Sequence, residues 1–92
     1  MMNKSTFEVV MRKKIERDLE KLPENIKAKL VNLVDDLTQK GPVLPSWPNY
    51  SKLSNLEYHC HLAYKWVACW RHEKGTIIIE VYYVGSRQNA PY

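Results

Sequence analysis

The sequence predicts an α+β domain of order β-α-α-β-β-β, with two antiparallel helices packed on a mostly antiparallel four-stranded sheet. Three observations predict it. The apolar period lengthens from about two to about 3.6 residues near Arg12. Pro23 and the pair Gly41-Pro42 then punctuate two helical stripes. The last third is rich in Tyr, Trp, Val and Ile and alternates around a turn at Glu73, Lys74 and Gly75.

Thr6 to Met11 alternate enough to form a short strand. From Arg12 onward, Ile15, Leu19 and Leu22 fall at i, i+4 and i+7, the apolar stripe of an amphipathic helix. Pro23 ends that helix and suits the start of the next. Ile26, Leu30, Leu33, Val34 and Leu37 line one face of the second helix. Gly41 is a natural C-terminal cap, and Pro42 prevents continuation. Residues 41–56 hold Pro42, Pro45, Pro48, Ser46, Asn49, Ser51, Ser54 and Asn55, and form a loop within the domain. Trp47 and Tyr50 are expected to pin that loop to the body. Strands follow at 57–64, 65–72 and 76–84. The Ile77, Ile79, Val81 and Tyr83 face is expected to be core. Trp66, Ala68 and Trp70 share a face that serves as core or partner surface, with base stacking as the alternative.

At 92 residues the chain reads as one domain over 1–92, too short for a full dinucleotide-binding domain or an eight-stranded α/β barrel. Hydrophobic residues at 45% and charged ones at 26% exclude a disordered composition. No apolar run reaches the ~20 residues of a membrane helix, and Met1–Met11 lacks the apolar core of a signal peptide, so a cytoplasmic protein with no membrane partner is expected. The net charge of +4 leans mildly towards nucleic acid or an acidic partner. Much of it lies in Arg12–Lys29, interleaved with Glu16, Asp18, Glu20 and Glu24 as on a solvated helix surface. Arg12–Glu16 and Lys14–Asp18 would be attractive i,i+4 pairs there. Cys60 and Cys69 sit in apolar stretches and read as buried free thiols.

Chemistry-bearing residues concentrate near the last strands. On strand 57–64, Tyr58, Cys60, Leu62 and Tyr64 share one face, and Glu57, His59, His61 and Ala63 the other. His59 and His61 therefore point the same way and can supply a base and an acid to one site; ordinary surface histidines fit the same pattern. A zinc site using His59, His61, Cys69 and His72 is weakened by parity, because Cys60 faces away from the histidines and Cys69 and His72 face opposite sides. Glu80 is either solvated or near the histidines. Lys65 begins the middle strand. Arg87 follows Gly85, where a cation past a strand end can be aimed into a cleft, or can simply be a surface arginine.

The runs Tyr58 to Arg71 (YHCHLAYKWVACWR) and Val81 to Tyr92 (VYYVGSRQNAPY), with the element order, resemble the bacterial RelE/ParE toxin superfamily, and within it the RelE-like cytotoxic translational repressors of toxin–antitoxin systems. The resemblance implies a toxin that enters the ribosome and cuts mRNA by attack of a ribose 2′-OH on its own 3′-phosphate, with no metal and no cofactor. Only RNA offers that hydroxyl. Matched to the family pattern, His59 and His61 divide base and acid duties, Arg87 grips the phosphate, and Tyr92 stacks on a base or bonds the 2′-OH. Lys65 and Arg71 are the expected substrate-binding cations. Histidines stand where the best-known relative has lysines, and Lys65 where it has an arginine, which gives up bidentate geometry. A cognate antitoxin, the ribosome and mRNA are the partners implied. The alternatives are a ParE-like DNA gyrase poison, which is a binder without a catalytic centre, and a decayed homologue that only binds antitoxin.

Overall fold

The structure, a computed structural model, describes residues 7–92. Thr6 of the predicted first strand and the start of the Met1–Met11 segment lie outside the described residues. In chain order the elements are β1 (Glu8–Met11), α1 (Lys13–Asp18), a 3₁₀ turn (Leu19–Lys21), α2 (Glu24–Lys40), β2 (Ser51–Lys52), β3 (Glu57–Ala63), β4 (Trp66–His72) and β5 (Ile78–Ser86). The strands form one mixed sheet in the order β1-β5-β4-β3-β2. β1 runs parallel to β5, and every other neighbouring pair is antiparallel. The α+β class and the helix-on-sheet arrangement match the expectation, with one strand more than the four predicted.

The helical stripe behaves as the spacing requires. Ile26, Leu30, Leu33 and Leu37 are the buried residues of α2, and they pack with Tyr58, Cys60, Leu62, Ala68, Trp70, Ile79 and Val81 from one face of the sheet. Gly41 ends α2 at φ 91°, and its amide donates to the Leu37 carbonyl at 2.9 Å. A Cβ there would also meet the Phe7 ring at 2.7 Å, so glycine is needed on both counts. The loop is pinned as anticipated. Trp47 Nε1 donates to Asp36 Oδ2 at 2.8 Å, and Tyr50 joins Tyr58 and Trp70 in a stack with centroids 6.2–6.3 Å apart. Trp70 Nε1 donates to the Pro42 carbonyl at 3.0 Å. Among the described residues, no helix is long and apolar enough to cross a membrane.

Several boundaries differ from the sequence expectation, each for a local reason. The first helix does not run unbroken to Leu22. Pro23 pushes Leu22 into extended backbone (φ −76°, ψ 144°), so the last turn tightens to 3₁₀. Arg12 stands outside α1 and pairs with Glu80, not Glu16, through Nε–Oε2 and Nη2–Oε1 contacts of 3.2 Å each. Asp18 lies 3.8 Å from Lys21. The fifth strand is Ser51–Lys52, inside the stretch read as loop, and it pairs with His59 and Tyr58. Tyr64 and Lys65 make the β3–β4 turn and belong to neither strand. At the start of β5, Thr76 closes the preceding turn through its hydroxyl to the Glu73 carbonyl (2.7 Å), leaving Ile77 57% exposed.

A bulge makes the largest correction. Cys69 pairs with Tyr83 but Trp70 pairs with Val81, so Tyr82 is an extra residue on β5. The alternation therefore slips by one. Ile79 and Val81 face the core before the bulge and Val84 after it, while Tyr83 turns to the opposite face beside Cys69. Trp66, Ala68 and Trp70 all join the core side, as one of the two expectations had it.

Candidate active site

The face of the sheet turned away from the helices carries His59 and His61 on β3, with Cys69 directly across from His59 on β4 and Tyr83 across from Cys69 on β5. Both histidines are only 8% exposed. Their rings stand 6.1 Å apart at 61°. Each is held from the segment that precedes β3. Ser51 Oγ lies 2.9 Å from His59 Nδ1. The His61 amide donates to the Pro48 carbonyl at 2.8 Å, and Asn49 Nδ2 lies 3.5 Å from His61 Nε2. Asn49 occupies the left-handed region at φ 53°, a conformation asparagine tolerates better than most residues.

The electrostatics favour an uncharged His59. Burial lowers its pKa from the usual imidazole value, the neighbouring His61 lowers it further, and the Ser51 backbone works the other way. A neutral imidazole near pH 7 is the form that accepts a proton. Cys60 and Cys69 are free thiols on opposite faces of the sheet, and burial pushes each up to about 12, so neither offers a thiolate.

The segment after β5 folds back over this face. Tyr83 Oη donates to the Ser86 carbonyl at 2.7 Å, and the Arg87 amide donates to the Lys65 carbonyl at 2.8 Å. Asn89 and Ala90 amides bond to Ser86 Oγ and the Arg87 carbonyl at 3.2 and 3.3 Å. These turns return Tyr92 to His59, ring centroids 4.4 Å apart. Tyr92 is still 54% exposed. Its hydroxyl pKa is raised, first by burial and then by Cys69, with Arg87 opposing. Arg87 itself is exposed, its guanidinium 5.4 Å from the Tyr64 ring centroid. Gly85 is required here for closeness, since a Cβ would come within 2.7 Å of the Tyr83 hydroxyl.

The structure thus brings His59, His61, Tyr92 and Arg87 towards one end of the sheet, with Lys65 in the adjoining turn. Arg71 is placed elsewhere. It stands about 20 Å along β4 from Lys65 at strand spacing, opposite Glu57 and Glu80 and beside a small cleft shared with Glu73. Glu80 is engaged by Arg12. His72 turns to the Thr76 carbonyl at 2.9 Å and packs edge-on to Phe7. Among the described residues no group of three or more His, Cys, Asp or Glu side chains converges as metal ligands. Ser51, Asn49 and Tyr64 are the site-lining residues that sequence reading missed. A hydroxyl and an amide in a Pro/Ser/Asn-rich loop carry no periodic signal.

The sequence matches no family model and no curated protein. Solved structures are similar over nearly the whole chain. RelE in its complex with RelB from Pyrococcus horikoshii superposes with a TM-score of 0.74 at 17% identity, covering 92% of this chain and 99% of that one. The DinJ–YafQ toxin–antitoxin complex of E. coli gives a TM-score of 0.73 at 13% identity, with 95% and 99% covered. A metal-bound toxin from Helicobacter pylori gives 0.69 at 22% identity, with 89% and 96% covered. Two helices on a mixed sheet, matched over nearly the whole length of these chains, make this chain an example of the RelE-like toxin fold.

Proposed function

We propose that this protein is the toxin of a toxin–antitoxin pair and acts in the cytoplasm as a ribosome-dependent mRNA endoribonuclease. One observation carries the reading: two buried histidines share a sheet face with Tyr92 on one of them and Arg87 at its border. A pure binding surface has no need of a paired base and acid. The fold likeness to toxins crystallised with RelB and DinJ supports an antitoxin partner.

In this mechanism the 2′-OH of a ribose gives its proton to neutral His59 as its oxygen bonds to the adjacent phosphorus. The bond from phosphorus to the 5′-oxygen of the next nucleotide breaks, and His61 or Tyr92 supplies the proton that this oxygen needs. The products are a 2′,3′-cyclic phosphate and a 5′-hydroxyl. Arg87 stabilises the charge gathering on the phosphoryl oxygens, in two-point contact where the geometry allows. Lys65, one turn away, adds positive potential. Arg71 acts at most on a remote part of the RNA, given its distance and its carboxylate neighbours. Because Tyr92 lies on His59, substrate entry requires the Arg87–Tyr92 segment to shift and Tyr92 to restack on a base.

Primer extension on an mRNA in a purified translation reaction tests this. Wild-type-dependent cuts at codon positions, absent without ribosomes and absent with the His59→Ala/His61→Ala double variant, are the expected result. A protein that arrests growth without cutting mRNA would overturn the nuclease reading in favour of a gyrase poison. A protein that does neither would leave antitoxin binding as its activity.

A further inference from the structure

The two-residue strand β2 is too short to add much to the sheet, yet it places one hydroxyl with care. Ser51 is the direct cross-strand partner of His59. Opposed positions on antiparallel strands hold their Cβ atoms about 5 Å apart, the reach over which a short serine side chain meets an imidazole. Ser51 Oγ accordingly lies 2.9 Å from Nδ1. The strand is held by the Leu53 amide, which donates to the Glu57 carbonyl at 2.7 Å, and by the Tyr50–Tyr58–Trp70 stack just before it.

We propose that Ser51 is the positioning residue of His59: its oxygen accepts the Nδ1 proton and so leaves Nε2 as the nitrogen with the free lone pair. This deepens the ribonuclease reading and rests on it for its catalytic meaning. When His59 takes a proton both ring nitrogens become donors, and Nδ1 then needs an acceptor. An oxygen that already accepts from Nδ1 meets the imidazolium without reorienting, which is what preorganisation requires. A serine that instead donated to Nδ1 would have to rotate its hydroxyl at the moment of proton transfer. Ser51 is exposed, so its own hydroxyl proton can point to solvent.

The other side chains facing His59 do not take this role. His61 and Glu57 lie on its own strand and face, Cys69 stands across on β4 with Arg71 beyond, and the Tyr92 ring covers it. Burial keeps the Cys69 thiol protonated, so it offers Nδ1 no thiolate acceptor.

Long-range ¹H–¹⁵N NMR of the imidazoles tests the assignment directly. In the wild type at pH 8 the His59 pattern is expected to show a protonated Nδ1 and an unprotonated Nε2. Ser51→Ala should lose that preference and lower the His59 titration midpoint further, because the imidazolium loses its acceptor. Ser51→Thr should restore both. His72, bonded to the Thr76 carbonyl, is the internal control and should not move. A wild-type His59 protonated at Nε2, or a folded Ser51→Ala protein with unchanged tautomer and midpoint, overturns the proposal. In the cleavage assay Ser51→Ala should lose about tenfold, a fraction of the ~10²–10⁴-fold that general acid–base catalysis contributes, with its acid limb moved to lower pH. If the wild type cuts no RNA, the ribonuclease reading fails while the NMR result stands or falls by itself.

Discussion

Gly85→Ala is the substitution whose effect the structure specifies most closely. The new Cβ would lie 2.7 Å from Tyr83 Oη and 2.9 Å from Cζ, where ordinary contact begins at 3.4 Å. The ring must retreat by about 0.7 Å to make room. That retreat takes the hydroxyl off the Ser86 carbonyl, a 2.7 Å bond. A typical hydrogen bond contributes ~1 kcal/mol, and crowding a fitted side chain adds a cost of similar size at the low end. We expect a loss of about 1–2 kcal/mol in total, which lowers the melting temperature of a domain this size by roughly 5–15 °C. Thermal unfolding followed by circular dichroism measures it, with a Tyr83→Ala/Gly85→Ala cycle to isolate the cause. In the Tyr83→Ala background the alanine at 85 should cost almost nothing. Wild-type stability for the single variant, or an undiminished loss in the Tyr83→Ala background, would refute the reasoning. Because Arg87 follows two residues later, the same variant should also cleave mRNA less well than its stability alone explains.

Other expectations follow from the same geometry. Arg87→Ala should lower mRNA cleavage at least ~100-fold, the scale of losing a charge contact to the transition state, and unchanged cleavage by the folded variant removes Arg87 from the site. Since burial and His61 lower the His59 pKa, cleavage should hold down to about pH 6.5 and fall only below it, a limb visible in a pH–rate profile and missing if histidine is not the base. The same lowering makes the unfolded chain bind the proton more readily. The stability that His59 contributes is therefore complete above its unfolded value and is lost as pH falls from there through the lowered folded value. Urea titrations at pH 7 and pH 5 should show a smaller acid loss for His59→Gln than for wild type, and equal losses would contradict the lowered pKa. Leu33→Ala, at a fully buried position in the middle of α2, should cost about 3–5 kcal/mol; a loss under ~1 kcal/mol in a urea titration would mean the helix does not pack as described.

The readable parts were those with a local cause. The α2 stripe and its Gly41 end follow from periodicity and from glycine's access to positive φ. The shared face of His59 and His61 follows from strand parity within a single element. The unreadable parts depend on two segments meeting. Ser51–Lys52 is too short to show an alternation, so its pairing with β3 exists only in the folded sheet. The Tyr82 bulge is unannounced by residue type, and it alone moved Tyr83 off the core and put Val84 on it. Arg71 entered only as an expected substrate-binding cation alongside the family resemblance, and the antiparallel register set it among carboxylates. Tyr92 over His59 rests on a chain reversal after Ser86 that no pattern in that stretch encodes.

The stack of Tyr50, Tyr58 and Trp70 joins three separate segments: the loop, β3 and β4. Aromatic rings held in fixed, chiral register give a near-ultraviolet dichroic band, and Trp70 is fully shielded from solvent. The loop supplies one ring of that stack and, one residue later, the hydroxyl that meets His59. An optical signal from the core therefore reports whether the edge of the histidine-bearing face is assembled. Loosening of the loop would dim the band while the helical signal in the far ultraviolet stays intact, so local detachment and global unfolding can be told apart without any label.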